Sequence, residues 1–578
     1  MSWKHGHGEW ELPKLKEAHQ FTVSSYISQY ATTEKRKNAP TIENNEFWTV
    51  KFYPYTKPGV DPMYAVVGGR HILICRPPTD KKGIEIVRLI IDEEPDTEHY
   101  ACCWTKDLAK PLLCVAGLTA KIKIWDVLSG ELIRVLVGHG GAINELIISP
   151  TDPQMLASCS KDTTIRIWSL DQNNEEHPCA AILSGGHRTT ILTIAFHRSG
   201  RYLLSGGEDY MICLWTLPIF PDENTATNKA TEIQFPHFST SEIHTSAIDC
   251  VQFHDDSILS RSACEDCIVL WDITGFDSEG RPPSQDEAPT QHEAANGSAT
   301  LTCFTDPTKN DPYVRLIEFS TPGTETAWIR FSLFEGIPLS NQSLSIDADP
   351  NLDTNTGLPQ ISHSILAIPA LGSKVYFWDL NRLVAYNEYL RSLPPHFTSK
   401  HEPESQGPLS ASNSGLTSGQ QTPNSEEPPQ SKMKRPAFLT PFRTRGKRGG
   451  AFKSVTDRVR DASPASSTTT TTSVSGPSSH TNIASHSTLN GLKLEGESGG
   501  IIVEKIPTTR MDIKLWNQKY DIRQAYPLKR LLPHKVETVP GWSFMGRGCA
   551  WSRGGEWCVV AGGEGVVGVL GRWGAGEK

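Results

Sequence analysis

One short pattern occurs twice in succession between residues 115 and 170, and it constrains the fold more than any other part of the chain. Each copy has a strand of small apolar residues, a polar turn, and an alternating strand that ends at Trp125 in the first copy and Trp168 in the second. Apolar residues at every second position are typical of half-buried strands. Gly138 and His139 lie between the copies. A unit of about 40 residues framed by Gly-His and by tryptophan predicts a four-stranded blade.

The same unit recurs along most of the chain, and it resembles the repeat of the WD40 family. Its third strands centre on seven positions, which are Ile74, Trp125, Trp168, Trp215, Trp271, Trp378 and Trp573. We therefore expect an all-β fold, a seven-bladed WD40 β-propeller with a long disordered insertion between blades six and seven. Free strand edges favour aggregation, so the ring is expected to close by strand pairing.

The composition divides the chain into four parts. Residues 1–44 are polar, and we expect either a mobile arm or a strand that closes the ring against the last blade. Residues 45–392 are expected to form blades one to six. Residues 393–520 are rich in Ser, Thr and Pro and too poor in apolar residues to offset chain entropy, which predicts disorder. Residues 521–578 are expected to supply the outer strand of blade six, at residues 527–534, and blade seven.

Charge and cysteine content narrow the functional class. The formal net charge of −9 argues against general coating of nucleic acid by the folded part. Thirteen cysteines, scattered through predicted strands, indicate buried thiols in a reducing compartment. The residues after Met1 are polar, so we expect no signal peptide. No stretch approaches about 18 consecutive apolar residues, so we expect no membrane span.

The recurring polar residues favour a structural role over catalysis or metal binding. Aspartates expected in the tight turns after the second strands, and histidines between blades, hydrogen-bond within a blade in WD40 proteins. These residues are Asp162, Asp209, Asp266, His139 and His187. Cys264 and Cys267 form a single C-x-x-C without a second pair at zinc spacing. No nucleophile elbow, phosphate-binding loop or HExxH motif is present, so we expect neither catalysis nor a cofactor.

A more specific resemblance rests on five segments, which are HYACCWT, PLLCVAG, GHGGAINELIISPTDPQMLASCSKDTTIRIWSL, FPHFSTSEIHTSAIDCV and AWIRFS. They resemble the EED and extra sex combs family, the WD40 subunits of Polycomb repressive complex 2. The resemblance covers most of residues 46–392 and 527–573. It implies a nuclear, non-catalytic subunit that binds a trimethyl-lysine of a repressive histone H3 mark. It also implies that the subunit holds a helical segment of an Enhancer-of-zeste-type methyltransferase, beside a Suppressor-of-zeste-type subunit, and that mark binding stimulates the methyltransferase.

By motif, the resemblance implies an aromatic cage of Phe52, Tyr100 and Trp328 at the starts of blades one, two and six. A quaternary ammonium has no N–H to donate, so aromatic faces hold it, each contributing on the order of 0.5 to 2 kcal/mol. The family has two adjacent aromatic residues where this chain has Ala327 before Trp328, which implies a cage of three walls. Aromatic side chains that simply fill the blade cores are the alternative interpretation.

The resemblance also implies that six residues surround the cage and meet the peptide, namely Asn144, Lys161, Asp249, Cys264, Arg330 and Arg547. Arg547 would donate to peptide carbonyls, and Asp249 would face a basic tail. A structural role is the alternative for each of the six. The family has an acidic residue after Gly-His-Arg, and Thr189 and Thr190 stand there in this chain, which implies that one electrostatic contact is missing.

A basic run lies within the predicted insertion. It contains eight basic residues interspersed with three phenylalanines, and the basic residues are Lys432, Lys434, Arg435, Arg443, Arg445, Lys447, Arg448 and Lys453. Such a run favours a nuclear-import signal or a salt-sensitive contact with nucleosomal DNA or RNA. A solvated linker is the alternative.

The sequence therefore predicts a histone-mark reader and scaffold, and two other functions remain open at this point. The first is a propeller that assembles a ubiquitin ligase or a signalling complex and has no methyl-lysine site. The second is an enzyme that uses the mouth of the channel, which would need a metal or paired carboxylates there.

Overall fold

Strands dominate the computed structural model, which describes residues 11–21, 46–56, 60–78, 83–107, 110–290, 299–336, 363–392, 516–523, 530–541 and 543–572. In chain order the strands are β1 (Lys14–Gln20), β2 (Thr49–Phe52), β3 (Tyr64–Gly68), β4 (His71–Arg76), β5 (Glu85–Ile91), β6 (His99–Asp107), β7 (Lys110–Gly117), β8 (Lys121–Asp126), β9 (Leu132–Val137), β10 (Ile143–Ile148), β11 (Met155–Ser160), β12 (Ile165–Ser169), β13 (Cys179–Ser184), β14 (Ile191–Phe196), β15 (Tyr202–Gly207), β16 (Ile212–Thr216), β17 (Thr231–Gln234), β18 (Phe238–Thr240), β19 (Ile248–His254), β20 (Ser257–Ser262), β21 (Cys267–Ile273), β22 (Thr300–Thr302), β23 (Tyr313–Ser320), β24 (Ser332–Phe334), β25 (Ile365–Ala370), β26 (Lys374–Asp379), β27 (Arg530–Leu531), β28 (Lys535–Thr538), β29 (Gly546–Trp551), β30 (Trp557–Gly562) and β31 (Val566–Gly571).

These strands form seven sheets, so the predicted seven-bladed propeller is confirmed. Blades one and two are β2 to β5 and β6 to β9, and blade six is β24, β25, β26 and β28. The first strands of neighbouring blades pack side by side, with β2 against β6 and β29, and β10 against β6 and β14. The starts of these first strands therefore meet at one end of the ring. Trp573, the expected centre of the last third strand, lies outside the described residues.

Three blades have a fifth strand, whereas the sequence pattern predicts four strands in every blade. β17 pairs in parallel with β13 of blade three, β22 extends blade four beyond β18, and β27 pairs in parallel with β23 of blade five. The predicted outer strand of blade six at residues 527–534 is therefore wrong. Within that range, β27 belongs to blade five, and the outer strand of blade six is β28.

A helix follows β26, the third strand of blade six, and a second helical stretch packs against this helix. Helix α1 spans Leu380–Ser392, and the backbone N–H of Arg382 donates to Asp379 Oδ1 at its start, as an N-cap aspartate accepts from the first turn. Residues 516–520 are helical, and the Trp516 and Tyr520 rings lie 5.5 and 5.7 Å from the Tyr386 ring. The disorder predicted for residues 393–520 is thus wrong at 516–520, while residues 393–515 lie outside the described residues.

Within the blades, tryptophan, serine, histidine and a carboxylate form repeated hydrogen-bonded networks. In blade three, Trp168 Nε1 donates to Ser158 Oγ at 2.8 Å, and His139 contacts Ser158 and Asp162 at 2.7 and 2.8 Å. His187 and Asp209 repeat the arrangement in blade four.

Blade five differs from the expectation, because His244 contacts Glu265 at 2.5 Å and Asp266 pairs with Arg530 instead. Burial alone would raise the pKa of Glu265, but hydrogen bonds from His244 and Thr245 outweigh it and lower the pKa to about 2. The turn residue of this blade is therefore a carboxylate at neutral pH, as in blades three and four.

A buried ion pair fixes the segment that leads into blade six. Arg261 and Asp249 have side chains 0% and 1% exposed, and Arg261 Nη1 donates to both carboxylate oxygens at 2.5 and 2.6 Å. The same guanidinium donates to the carbonyls of Thr324, Thr326 and Ile329. One buried cation thus holds three backbone carbonyls of the same loop.

The same ion pair determines the backbone of Trp328. This residue has φ 66°, in the left-handed region that bulky side chains rarely occupy. Its backbone N–H donates to Asp249 Oδ2 at 2.8 Å, and its ring packs against Leu192, Ala247 and Ala263. The conformation therefore depends on the loop being held at both ends.

The ring closes through β1. Its residues pair antiparallel with β31 from Lys14 opposite Gly571 to Gln20 opposite Val566. Leu12 and Phe21, at the two ends of this segment, are 7% and 3% exposed, and Arg572 Nε donates to the Glu11 carbonyl at 2.6 Å. The fourth strand of blade seven therefore comes from the beginning of the chain.

Removing residues 1–21 should destabilise the whole propeller. The deletion exposes the edge of β31 and the apolar surface that Leu12 and Phe21 cover, which together should lower the free energy of unfolding by at least about 4 kcal/mol. Denaturant unfolding followed by tryptophan fluorescence measures the change. Removing only residues 1–10 retains every contact described for β1 and serves as the control. Equal stability of the two truncations would contradict closure by β1.

The Asp249→Asn variant should be strongly destabilised, because it leaves the buried Arg261 charge without its counterion. We expect a loss of about 3 kcal/mol in the free energy of unfolding. Asp255→Asn is the matched control, since Asp255 pairs with Arg198 at 2.8 Å on the surface, with side chains 69% and 58% exposed, and such pairs contribute less than about 1 kcal/mol. Similar midpoints for the two variants in urea would show that the ion pair does not hold the loop.

Candidate functional site

Three aromatic rings from three blades converge where the first strands begin. Trp48 precedes β2, Tyr100 lies at the start of β6, and Trp328 precedes β24. The Trp48 ring lies 5.9 Å from the Tyr100 ring and 6.2 Å from the Trp328 ring, and the Tyr100 and Trp328 centroids are 6.2 Å apart. All three side chains are partly exposed. The structure thus brings Tyr100 and Trp328 together, as the sequence predicts.

Phe52, the third predicted ring, is not part of this group. It is 7% exposed and its ring lies 5.3 Å from that of Tyr64, within the core between blades seven and one. Phe52 ends β2, four residues after Trp48, and a strand advances about 3.3 Å per residue, so the two side chains are separated by roughly 13 Å along the strand. Trp48 occupies the place that the sequence analysis assigned to Phe52.

Trp48 can be identified from the sequence by aligning the segments that begin blades one and two. The segments EFWTVKF and EHYACCW begin blades one and two, and aligning their glutamates places Trp48 opposite Tyr100 and Phe52 opposite the buried Trp104. The structure supports this alignment, because the same glycine lies against the same backbone carbonyl in both blades. In blade one, Gly68 lies so close to the Glu46 carbonyl oxygen that a side chain at residue 68 would collide with it.

Gly117 makes the same contact in blade two, where a Cβ would lie 1.9 Å from the Glu98 carbonyl oxygen. Blade seven repeats it at Gly562, where a Cβ would lie 2.0 Å from the Met545 carbonyl oxygen. Met545 is therefore equivalent to Glu46 and Glu98, and Arg547 is equivalent to Trp48 and Tyr100. In these three blades, the glycine at the end of the second strand lets the start of the first strand lie close to it, with Trp48, Tyr100 and Arg547 at equivalent positions.

Charged groups surround the three rings. Arg547 lies 4.8 Å from the Trp48 ring centroid, and its Nε donates to Glu46 Oε1 at 2.5 Å while Nη1 donates to the Ala327 carbonyl at 2.9 Å. On the other side, Glu98 accepts from Trp48 Nε1 at 3.3 Å and from the Tyr100 hydroxyl at 3.2 Å. These bonds orient two of the rings, and they place a carboxylate at the polar edges of both.

Three of the six predicted peptide-contact residues bond within the chain, and two of these three, Asn144 and Asp249, are buried. Asn144 is 3% exposed and donates to the Ile191 carbonyl at 2.7 Å. Arg330 forms an ion pair with Glu145 at 2.5 Å and donates to the carbonyls of Asn144 and Leu192. Burial opposes ionisation of Glu145, but the facing Arg330 outweighs it and lowers the pKa. Asp249 holds the Trp328 loop, as described above.

The other three predicted residues differ in exposure. Lys161 and Cys264 are exposed, and the backbone N–H of Lys161 donates to the Ala142 carbonyl at 2.8 Å in the turn after β11. Arg547 is 7% exposed and contacts Trp48 directly. The basic run from Lys432 to Lys453 lies outside the described residues.

The described part of the chain contains no group of three or more His, Cys, Asp or Glu side chains able to hold a metal ion. None of the helices in the described ranges is long and apolar enough to cross a bilayer. The thirteen cysteines all fall within these ranges and are free thiols.

The arrangement of the three aromatic rings and the neighbouring carboxylates is suited to holding a soft cation.

Known proteins resemble this chain in both sequence and structure. The WD domain, G-beta repeat family matches residues 130–169 and 178–216. Polycomb protein EED of Chaetomium thermophilum is 34% identical over 590 residues, which cover 98% of this chain and 97% of that protein. Polycomb protein esc of Drosophila melanogaster is 36% identical over 226 residues, 36% of this chain and 52% of that protein.

Among solved structures, a chain of apo ctPRC2 in an autoinhibited state has a TM-score of 0.68 and 31% identity, covering 98% of this chain and 99% of that chain. A chain of ctPRC2 in complex with H3K27me3 and H3K27M has the same TM-score, identity and coverage. The likeness extends over nearly the full length of both chains, so it includes the blades that position the three rings. This chain belongs to the family of the Polycomb protein EED.

Proposed function

We propose that this protein is the non-catalytic WD40 subunit of a Polycomb-type histone H3 lysine methyltransferase complex, and that it binds a repressive trimethyl-lysine mark between Trp48, Tyr100 and Trp328. The observation that carries the proposal is the convergence of these three partly exposed rings. Membership in the EED family supports it. So does the similarity to a ctPRC2 structure in complex with H3K27me3.

The chemistry of the ligand matches the site. A trimethylammonium group carries a charge but no N–H, so it gains most from the negative faces of aromatic rings. Three centroids about 6 Å apart leave a central point roughly 3.5 Å from each, while a bound cation usually lies within about 6 Å of a ring centroid. The methylammonium group would therefore sit above the triangle of centroids. Ala327 leaves this cage with three aromatic walls.

The surrounding residues would act in two ways. Arg547 borders Trp48 and would orient the peptide next to the cage, with Lys161 and Cys264 as exposed contacts further out. Asn144, Asp249 and Arg330 are engaged with the chain itself, and we assign them to positioning the cage.

The scaffold role extends the proposal to partners. The protein would hold an Enhancer-of-zeste-type methyltransferase through a helical segment, together with a Suppressor-of-zeste-type subunit, in the nucleus. The basic run at residues 432–453 would contact nucleosomal DNA or RNA. The alternative is a WD40 scaffold without a methyl-lysine site, and the two functions are separated by peptide binding.

Alanine substitution of Trp48, Tyr100 or Trp328 should each weaken binding of a trimethylated histone H3 peptide by about tenfold or more, because each removes one ring face. Isothermal titration of the full chain with trimethylated and unmethylated peptides measures the effect. Phe52→Leu is the control, since Phe52 lies in the blade core and its replacement should leave the dissociation constant within about twofold. Equal binding of the two peptides by the unsubstituted protein would favour the scaffold alternative.

The assembled complex provides a second test. Co-expression with an Enhancer-of-zeste-type and a Suppressor-of-zeste-type subunit should yield a complex whose methyltransferase rate rises when trimethylated peptide is added. Tyr100→Ala should abolish that rise and leave the rate without peptide within about twofold, because binding and stimulation are linked through one site. A stimulated Tyr100→Ala complex would separate stimulation from the cage.

A further inference from the structure

The carboxylate of Glu98 borders two of the three rings of the cage. Its Oε1 accepts from Trp48 Nε1 at 3.3 Å and its Oε2 accepts from the Tyr100 hydroxyl at 3.2 Å. The carboxylate therefore spans the polar edges of two of the three rings. Its backbone position is fixed as well, because the Leu118 N–H donates to the Glu98 carbonyl at 2.9 Å and Gly117 admits that carbonyl.

A carboxylate in this place alters which methylation state the site prefers. A dimethylammonium group keeps one N–H, and burying that donor without an acceptor costs about 1 to 3 kcal/mol. An ionised carboxylate provides about four lone-pair positions, so Glu98 can accept from the two ring edges and from a ligand at once. A charge-assisted bond of this kind is roughly twice as strong as a neutral one.

We propose that the site binds dimethyl-lysine as well as trimethyl-lysine, and that Glu98 determines the ratio of the two affinities. This inference rests on the proposed function. Dimethyl-lysine donates its N–H to the carboxylate and loses one methyl contact with the rings. Trimethyl-lysine keeps all three methyl contacts and interacts with Glu98 only through its charge. The two ligands therefore bind with comparable affinity.

The second carboxylate near the cage has a different role. Glu46 accepts from Arg547 Nε at 2.5 Å, and Arg547 in turn stacks over the Trp48 ring. Glu46 is therefore joined to the rings through a cation, whereas Glu98 is bonded to them directly. Neutralising Glu46 changes the charge near the ligand without removing the acceptor for its N–H.

Isothermal titration of the full-length protein with unmethylated, dimethylated and trimethylated histone H3 peptides tests the proposal. The dissociation constants of the unsubstituted protein for the two methylated peptides should agree within about threefold. Glu98→Gln keeps the shape of the side chain, its amide oxygen can accept from Trp48 Nε1, and its amide nitrogen can donate to the Tyr100 hydroxyl oxygen. In this variant the ratio of the dimethyl to the trimethyl constant should rise by about five- to tenfold. Thermal unfolding of the variant checks that it is folded.

Glu46→Gln is the matched control and should change both constants by the same factor. A ratio that stays within about twofold in Glu98→Gln, or an unsubstituted protein that prefers the trimethylated peptide by more than about tenfold, would overturn the role of Glu98 and leave trimethyl-lysine binding intact. If neither methylated peptide binds more tightly than the unmethylated one, the reader function fails and this inference fails with it.

Discussion

The pairing of β1 with β31 is the interaction on which the rest of the molecule depends. A blade cannot bury both faces by itself, so each relies on its neighbours, and an open ring would leave blade seven with an exposed edge. Closure also brings the starts of the first strands to a common centre. Trp48, Tyr100 and Trp328 are distant along the chain, and they meet because the ring is complete.

The centre of the ring is held by charges that the chain satisfies internally. Arg261 with Asp249 is a buried pair, and Arg330 with Glu145 is a largely buried one, with side chains 14% and 12% exposed. Both arginines donate further hydrogen bonds to backbone carbonyls. Buried ion pairs contribute little net stability when compared with apolar residues, but they are demanding about geometry. Here they fix the left-handed backbone of Trp328 and the spacing between blades three and four. The Arg261–Asp249 pair therefore positions the Trp328 ring.

The periodic pattern predicts the number of blades, because alternation and the terminal tryptophans are local features. Two of the three rings, Tyr100 and Trp328, follow from the family resemblance and not from periodicity. The pattern does not predict that β17, β22 and β27 join blades three, four and five, because the sequences of these short strands do not indicate which blade they pair with. The helical residues 516–520 border a low-complexity stretch, and only the spacing of Trp516 and Tyr520 indicates a helix face. The motif around Phe52 does not separate it from Trp48, whereas aligning blades one and two at Glu46 and Glu98 places Trp48 opposite Tyr100. From sequence alone, Asn144 and Asp249 could contact a ligand or bond within the chain, and only the burial of their side chains in the structure distinguishes the two roles.

The contact between α1 and the helical residues 516–520 holds the two ends of the intervening span close together. The Tyr386 hydroxyl donates to Asn517 Oδ1 at 2.7 Å, and Asn387 Nδ2 donates to the Tyr520 carbonyl at 3.0 Å, so the chain leaves and rejoins the propeller at neighbouring points. Once two ends are joined in this way, each doubling of the intervening length costs only about 0.6 kcal/mol in closure entropy. The span between them is therefore a place where sequence can lengthen, shorten or acquire new signals while the seven blades keep their geometry.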